Sequence, residues 1–328
     1  MARDIDTRAV TLVDLPLLRR LGNRATVLES TMEYTQYEPH PATLTNLILP
    51  QRSLYTMLAR ADKQYVVGQF RLRPDEQNAH IVYIAPGMQD GVDDTAWLHI
   101  LDAMAREAGQ RHAHALIAEV HEDSHLFETM RTAGYAVYAR QEIWRRLPAA
   151  APLPIIPGIE VVEETEADAM RVQSLIAQII PRLMQPFVTP NEDMDGWVYR
   201  RDGRVQAYIG VVSGKQGIIL RPFIHPDLYK EAPGILSDLI RKLARADQLP
   251  IYICVSRFLD WMQTTLDEMH FLPGPRQAVM VKHITAGVRQ ASFKPFHAVQ
   301  GVAVGSAKSP TSHYLERNSD TIIDNRIS

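Results

Sequence analysis

The chain has 328 residues, of which 46% are hydrophobic and 22% charged, and its formal net charge is −3. These values are typical of a soluble globular protein with room for two ordinary domains. They exclude a broad positive field, and no apolar run approaches the roughly 20 residues of a membrane span, so we expect neither nucleic acid nor a membrane as a partner. The N-terminus lacks the apolar segment of a signal peptide, and Cys254 is the single cysteine, so the sequence favours a cytoplasmic protein without an intrachain disulfide.

The first half alternates strand and helix patterns. An alternating strand passes through Asp14, a good N-cap residue, into a helix with leucines on one side. An irregular or short-helical segment, a hairpin turning at Asp62, and a short apolar strand ending in Pro86 follow. The predicted elements after residues 7–21 are the irregular segment 30–52, the hairpin 53–72, the strand 81–86, the helix 95–109, the strand 115–120, the helix 124–132 and the last strand 137–145.

Residues 148–157 hold four prolines in ten positions, which predicts a stiff, extended linker. Beyond the linker the same order of elements returns. Pro226 stands 140 residues after Pro86, and Asp202 stands 140 residues after Asp62. Such self-similarity indicates two copies of one domain.

We therefore predict a domain at 1–147, a linker at 148–157, a second domain at 158–285, and a largely disordered tail at 286–328 that could mediate self-association or bind a protein. Because the linker is short, we expect the halves to pack as one body and to unfold together. Trp144 and Trp197 or Trp261 are candidate contacts between the halves, although a core position for each is equally compatible with the pattern.

This order of elements resembles the GNAT (Gcn5-related N-acetyltransferase) superfamily over about residues 3–147 and 158–285, and the doubling resembles tandem GNAT proteins. The resemblance implies two α/β domains, each a mixed sheet of six or seven strands flanked by helices. It also implies acetyl-CoA or another acyl-CoA as co-substrate. In that family the pantetheine pairs with the strand that ends in proline, and the pyrophosphate binds at the following loop and helix N-terminus.

Carried onto this sequence, the resemblance implies two sets of CoA-binding residues. The first set is Tyr83, Ile84, Gln89 and Gly91; the second is Phe223, Ile224, Lys230, Ala232 and Gly234. Neither loop keeps the family pattern Arg/Gln-x-x-Gly-x-Gly/Ala. The first loop is crowded by aspartates, of which Asp93 or Asp94 is expected to cap the helix, whereas the second offers the cation Lys230. The second half is therefore the better predicted anion site.

The catalytic positions of the family are changed as well. Met130 and Leu266 stand where many members have a proton-donating tyrosine, and neither strand before the loop contains a carboxylate. His121 and His225 are candidates for a substitute acid or base, with a solvated loop histidine as the alternative. Cys254 is interpreted as a small buried residue, and no set of residues has the spacing of a metal site.

Two hypotheses about function follow. The first is an acyl-CoA-dependent N-acyltransferase that acts on an amine of a small molecule or peptide. The second is a catalytically silent pair of domains that binds CoA structurally or serves as a protein-interaction module. Four residues fall where family members recognise the acceptor, with packing as the alternative: Met32, Tyr34, Tyr37 and His40.

Overall fold

The computed structural model describes residues 5–35, 53–74, 76–190 and 194–284. Predictions for 36–52, including Tyr37 and His40, and for the tail lie outside the described residues. The described strands are β1 Ile5–Ala9, β2 Thr26–Val27, β3 Leu54–Ala61, β4 Gln64–Arg71, β5 Asn78–Ala85, β6 Ala115–His121, β7 Ala136–Arg146, β8 Val161–Glu163, β9 Asp195–Arg201, β10 Arg204–Ser213, β11 Ile218–Ile224, β12 Ile251–Ser256 and β13 Leu272–His283. The described helices are α1 Leu15–Gly22, α2 Ser30–Thr35, α3 Thr95–Gln110, α4 His125–Thr132, α5 Ala169–Ile179, α6 Gln185–Val188, α7 Ala232–Lys242 and α8 Met262–Glu268.

The repeated sequence signals give repeated local structure. Asp62 and Asp202, at the two hairpin turns, both have φ of 52°, a left-handed conformation that aspartate tolerates better than most residues. Gly134 and His270, just after α4 and α8, also have positive φ. The next residue closes each helix in the same way, because its amide bonds to the carbonyl five residues earlier.

All thirteen described strands lie in one continuous sheet, in the order β1-β3-β4-β5-β6-β13-β7-β12-β11-β10-β9-β8, with β2 on β5. The sequence predicts a mixed sheet for each half, and the two are joined through the last strand of each. β13, from the second half, pairs with β6 of the first, and β7, from the first half, pairs with β12 of the second. The halves thus exchange their last strands, and β7 and β13 pair with each other at the centre.

Apolar side chains fill both faces of this sheet. In the first half they pack under α3, and in the second under α7 and α8. Another cluster lies beneath α5 and includes residues of β6, β7 and β13, so it spans the junction. Trp144 is 6% exposed and packs into the second half's core with Trp197 and Trp261, because its strand belongs to that half's sheet. None of the described helices has the length and apolarity needed to cross a membrane.

Candidate functional site

The two parallel strand pairs of the sheet open in the same way. β5 and β6 pair over three residues, up to His80 opposite Ile117. β11 and β12 also pair over three residues, up to Leu220 opposite Ile253. We call the gap beyond the first pairing, between β5 and β6, the first cleft, and the gap between β11 and β12 the second cleft. Each cleft exposes a strand edge whose backbone groups need partners.

The first cleft is filled by the chain itself. β2 pairs antiparallel with β5, opposite Tyr83 and Ile84. The Leu28 amide donates to the Val82 carbonyl at 2.8 Å, and the Leu28 carbonyl accepts from the Glu119 amide of β6 at 2.9 Å. The edge at which the sequence predicts pantetheine is therefore already paired, and a ligand could pair there only by displacing β2.

The loop after β5 carries Gln89 and Gly91 on the surface, with φ of +72° at Gly91. The helix N-terminus behind it is occupied by a side chain. The Asp93 carboxylate accepts a hydrogen bond from the amide of Thr95, the first helical residue, at 3.0 Å, whereas the N-cap residue Asp94 makes no side-chain cap bond. An anion approaching this end of α3 would meet that carboxylate, so the first loop is a poor pyrophosphate site.

The second cleft differs, because among the described residues no strand pairs with the edge of β11 beyond Leu220 on the β12 side. The opposite edge is held by a regular antiparallel ladder with β10. Phe223 and Ile224 are buried, one toward α5 and the other in the core with α7, so their side chains fix the strand. An extended ligand could add to this edge through backbone hydrogen bonds.

The turn that follows β11 uses its own amide groups. Residues 226–228 form a 3₁₀ turn that begins with His225, whose Nδ1 accepts from the Asp227 amide at 3.3 Å. The amides of Leu228, Tyr229 and Glu231 donate to carbonyls within the same turn. A pyrophosphate at this turn would find these donors already bonded.

The other predicted CoA residues of the second half take different positions. Lys230 is exposed, and Ala232 is fully buried. At Gly234 a Cβ atom would lie 2.4 Å from Ile159 Cδ1 and 3.0 Å from Ile156 Cβ. The absence of a side chain at Gly234 therefore lets the end of the linker pack on α7, and it is Lys230 that remains accessible to a phosphate.

A cavity of about 260 Å³ lies where the two halves meet, and we call it the seam cavity. The cavity is lined by His80, which is the last residue of β5 that pairs with β6. It is also lined by Arg221, which is the first residue of β11 beyond the pairing with β12. The cavity is thus next to the apex of both clefts. Its other lining residues are Leu28, Glu29, Thr31, Arg73, Glu76, Gln77, Asn78, Ile117, Ala118, Glu119, Pro186, Phe187, Thr189, Pro190 and Met194.

Ion pairs surround the seam cavity, each joining an arginine to a glutamate. The pair that crosses between the halves is largely buried, with side-chain exposures of 16% and 11%. The pairs are Arg221–Glu119 at 2.6 Å, Arg71–Glu29 at 2.9 Å and Arg73–Glu76 at 3.4 Å.

Burial and these charges set the protonation of the cavity. Burial alone would raise the pKa of Glu119, but the charge of Arg221 and hydrogen bonds from Ser30 outweigh it and lower that pKa to about 2. At Glu29 burial dominates over the charge of Arg71 and raises the pKa. Burial, together with nearby arginine charge, lowers the pKa of His80 to about 4, so its imidazole is neutral at pH 7.

A chain of polar contacts leads from the seam to His121. The Ser30 hydroxyl donates to Gln277 Oε1 at 2.7 Å, and Gln277 Nε2 donates to Glu33 at 3.5 Å. Glu33 lies 3.7 Å from His121 and raises the pKa of that histidine. His121 therefore holds its proton more tightly than an ordinary histidine.

The remaining candidates are dispersed. His225 is at the end of β11 next to the second cleft, whereas His121 lies at the end of β6 in the other half, beside Glu33. His125 pairs with Asp90 on the surface at 2.6 Å. Cys254 is 4% exposed, and burial raises its pKa to about 12, which fits the core role expected of it. Within the described residues, no group of three or more histidine, cysteine or acidic side chains is arranged to hold a metal ion.

Of the residues expected at the acceptor site, Tyr34 packs against Tyr252 of the second half, with 4.6 Å between ring centroids and 36° between the ring planes. Met32 is half-buried on the same helix, α2. α2 thus packs across the seam. In this position Tyr34 makes packing contacts, and an additional role in recognising an acceptor stays a prediction.

Sequence reasoning missed the residues of the seam cavity. Glu119 is the lone charge within Ala-Leu-Ile-Ala-Glu-Val, and Arg221 is the lone charge within Ile-Ile-Leu-Arg-Pro-Phe-Ile. A single charge inside an apolar strand needs a buried partner, and that signal could have linked the two positions. Glu29 and His80 carry no comparable signal.

Comparison with known proteins gives the fold. No protein-family model matches the sequence, and no curated protein is similar to it in sequence. A solved tandem GNAT protein from the clavulanic acid biosynthesis pathway is 13% identical, with a TM-score of 0.50 over 86% of this chain and 99% of that one. A GCN5-related N-acetyltransferase from Sphaerobacter thermophilus is also 13% identical, with a TM-score of 0.50 over 85% of this chain and 96% of that one. The chain has the fold of the tandem GNAT proteins, and the fold prediction is confirmed.

Proposed function

We propose that this protein is an acyl-CoA-dependent N-acyltransferase that binds its thioester in the second cleft and acts on an amine of a small molecule or peptide. The observation that carries the proposal is the β12-facing edge of β11, with which no described strand pairs beyond Leu220 and which lies at the apex of a charged cavity. The tandem GNAT fold supports this assignment by analogy. The first cleft is assigned no thioester, because β2 occupies it.

The residues of the second half fit part of a CoA ester. A pantetheine amide group would pair with the backbone of Ile224, because the amide of Phe223, like that of His225, faces β10. A phosphate would lie near Lys230. The amine nitrogen of the acceptor forms a bond to the thioester carbonyl carbon, and the C–S bond breaks. Coenzyme A leaves as a thiolate that takes a proton from solvent, and the amine releases its proton to solvent. Holding the two reactants together supplies the rate enhancement, so the scheme assigns no proton-transfer residue.

Isothermal titration of the full chain with acetyl-CoA tests the proposal. Lys230→Glu should weaken binding about tenfold, because it reverses a charge near the helix end. Lys215→Glu makes the same change at an exposed lysine in the turn before β11 and should have no effect. Equal losses in both variants would place the ligand elsewhere, and absence of acetyl-CoA binding to the unmodified chain would overturn the proposal.

The second hypothesis, a catalytically silent protein, is favoured by the bonded amides of the turn at residues 226–231. It predicts either no CoA binding or CoA binding without turnover. The release of free thiol from acetyl-CoA, measured with a panel of small amines and peptides, separates the hypotheses. Thiol release that depends on the amine supports the transferase.

A further inference from the structure

The seam cavity contains charged groups that acyl transfer as outlined above does not use. Its volume of about 260 Å³ is below the roughly 300–1,000 Å³ of sites for drug-sized ligands, so it suits a smaller molecule. Gln77 and Thr189 are exposed and mark where the cavity reaches the surface. The Asn78 side chain donates to the Pro186 carbonyl at 3.1 Å and so holds α6, which forms part of this wall.

Several polar groups at the wall have no partner among the described residues. Arg221 Nε and Glu76 Oε2 are buried without a hydrogen bond. The His80 imidazole forms no side-chain hydrogen bond within the described chain, although in its neutral form it has both a donor and an acceptor nitrogen. A buried polar group that lacks a hydrogen bond destabilises the protein. An occupant that both donates and accepts hydrogen bonds would satisfy these groups.

The seam cavity is surrounded by both arginine and glutamate side chains. Arg71, Arg73 and Arg221 all act electrostatically on His80, and all three lower its pKa. Of the opposing carboxylates, Glu119 is firmly ionised, whereas burial makes Glu29 easier to protonate. The unbonded Nε of Arg221 can donate to an anionic group, and the unbonded Oε2 of Glu76 can accept from a cationic one.

We propose that the seam cavity binds a small ligand that carries both a carboxylate and an ammonium group, as an amino acid does. The carboxylate faces Arg221 and Arg73, and the ammonium group faces Glu76. The amine of this ligand would lie next to the apex of the second cleft, where it could be the acceptor of the acyl group. That role as acceptor rests on the proposed function. Its binding to the cavity does not depend on acyl transfer.

Thermal shift of the full chain with the standard L-amino acids, each added separately at about 10 mM, identifies a probe by mass action. The amino acid with the largest shift is then titrated by calorimetry beside its decarboxylated amine. We expect one site per chain and binding of the amine at least about tenfold weaker, because an arginine–carboxylate contact is lost. Equal affinities would overturn the carboxylate assignment.

Two variants locate the site. Arg73→Gln should weaken the amino acid about tenfold by removing a charged contact, whereas Arg201→Gln, which removes an exposed arginine paired with Glu231 at 3.2 Å, should not. Thr189→Trp should block the opening, and Thr132→Trp at an exposed threonine outside the cavity serves as its control. Folding of each variant is checked by circular dichroism.

Outcomes for the cavity and for acyl transfer are distinguishable. Amino-acid binding without acetyl-CoA binding would keep the cavity ligand and remove the transferase. Acetyl-CoA binding with no amino acid bound would leave the transferase and overturn the cavity proposal. Amino-acid binding unchanged by Thr189→Trp and Arg73→Gln would also overturn it.

Discussion

The two halves repeat one fold, yet their clefts differ in what they leave open. In the first cleft β2 pairs with the strand edge, and the Asp93 carboxylate occupies the end of α3 behind the loop that exposes Gln89 and Gly91. In the second cleft the strand edge is unpaired by any described strand, but the turn after β11 bonds its own amides. The first half therefore offers an anionic ligand neither surface, whereas the second offers the strand edge.

The difference shows that repeated secondary structure does not fix what a cleft can bind. The filled cleft depends on two residues of β2 and on Leu28, a segment with no paired equivalent against β11 among the described residues. A short stretch of chain, too short to alter the pattern of helices and strands, decides whether a strand edge is available. The seam between the halves is where both clefts meet the same charged cavity.

The largest expected effect tests whether the halves depend on each other at that seam. Arg221→Met leaves Glu119 buried without its partner, which should lower the free energy of unfolding by about 3–5 kcal/mol. Denaturant unfolding measures the loss. Arg276→Met removes an arginine that is 77% exposed and lies 3.6 Å from Glu142, so it should cost less than about 1 kcal/mol.

The double variant Glu119→Gln/Arg221→Met should recover part of the loss, because no unpaired charge then remains. Scanning calorimetry of the unmodified chain should show one main transition, since β7 and β13 are exchanged between the halves. Two well-separated transitions would show that the seam does not couple them.

The second largest effect is expected from a substitution that displaces β2, the strand that fills the first cleft. At Gly87 a Cβ atom would lie 2.5 Å from Thr26 Oγ1, so Gly87→Ala should push β2 from its place and cost about 1–3 kcal/mol. Adding Thr26→Ala removes the clashing oxygen and should restore most of the stability. Urea unfolding of the four proteins of this cycle measures the coupling. Acetyl-CoA affinity should stay unchanged, and a gain of affinity in Gly87→Ala would show that the first cleft can bind the thioester once β2 is loosened.

The sequence predicts the repeated elements well, because hairpin turns, helix ends and apolar strands are local signals. The Asp62 and Asp202 turns and the helix ends at Gly134 and His270 all lie where the pattern places them. The exchange of last strands is not local. β7 and β13 both have the sequence pattern of a final strand, and packing across the junction determines which strands they pair with.

The candidate site was less predictable for the same reason. β2 has only two residues, Thr26 and Val27, and no pattern distinguishes so short a strand from a loop. Gly234 was predicted as a small residue for a phosphate, and its position against the linker follows from tertiary packing. The seam cavity combines residues more than 100 positions apart, so no local spacing reveals it.

A third effect compares equivalent charges in the two halves at low pH. Asp14 and Asp168 each accept hydrogen bonds from a threonine three residues earlier and from an arginine of a nearby strand. The arginine is the main cause of the lowered pKa at both, and at Asp168 the pKa falls to about 2. A carboxyl group whose pKa is lowered in the folded state stabilises the protein at pH values above its unfolded-state pKa of about 3.9. This stabilisation is lost as the pH falls through the folded-state pKa.

Asp168→Asn should therefore cost about 1–2 kcal/mol at pH 7 through loss of the charged contact with Arg200 and should flatten the fall in stability between about pH 4 and pH 2. Asp14→Asn should act in the same direction in the first half. Unfolding titrations across this pH range measure both. A pH dependence as steep in Asp168→Asn as in the unmodified chain would contradict the assignment of that pKa.

The smallest effect concerns the ends of α4 and α8, where the halves use different residues in one conformation. His270 has φ of 60° and Gly134 has φ of 85°, and only glycine adopts such values without steric cost. His270 is exposed, and its side chain forms no hydrogen bond in the described chain, so His270→Gly removes strain without removing a contact. We expect a gain of about 0.5–1 kcal/mol after the entropic cost of glycine is included, and Gly134→His should lose a similar amount. The melting temperature measures both changes, and a lower value for His270→Gly would mean that the imidazole stabilises the second half by a contact that its first-half counterpart lacks.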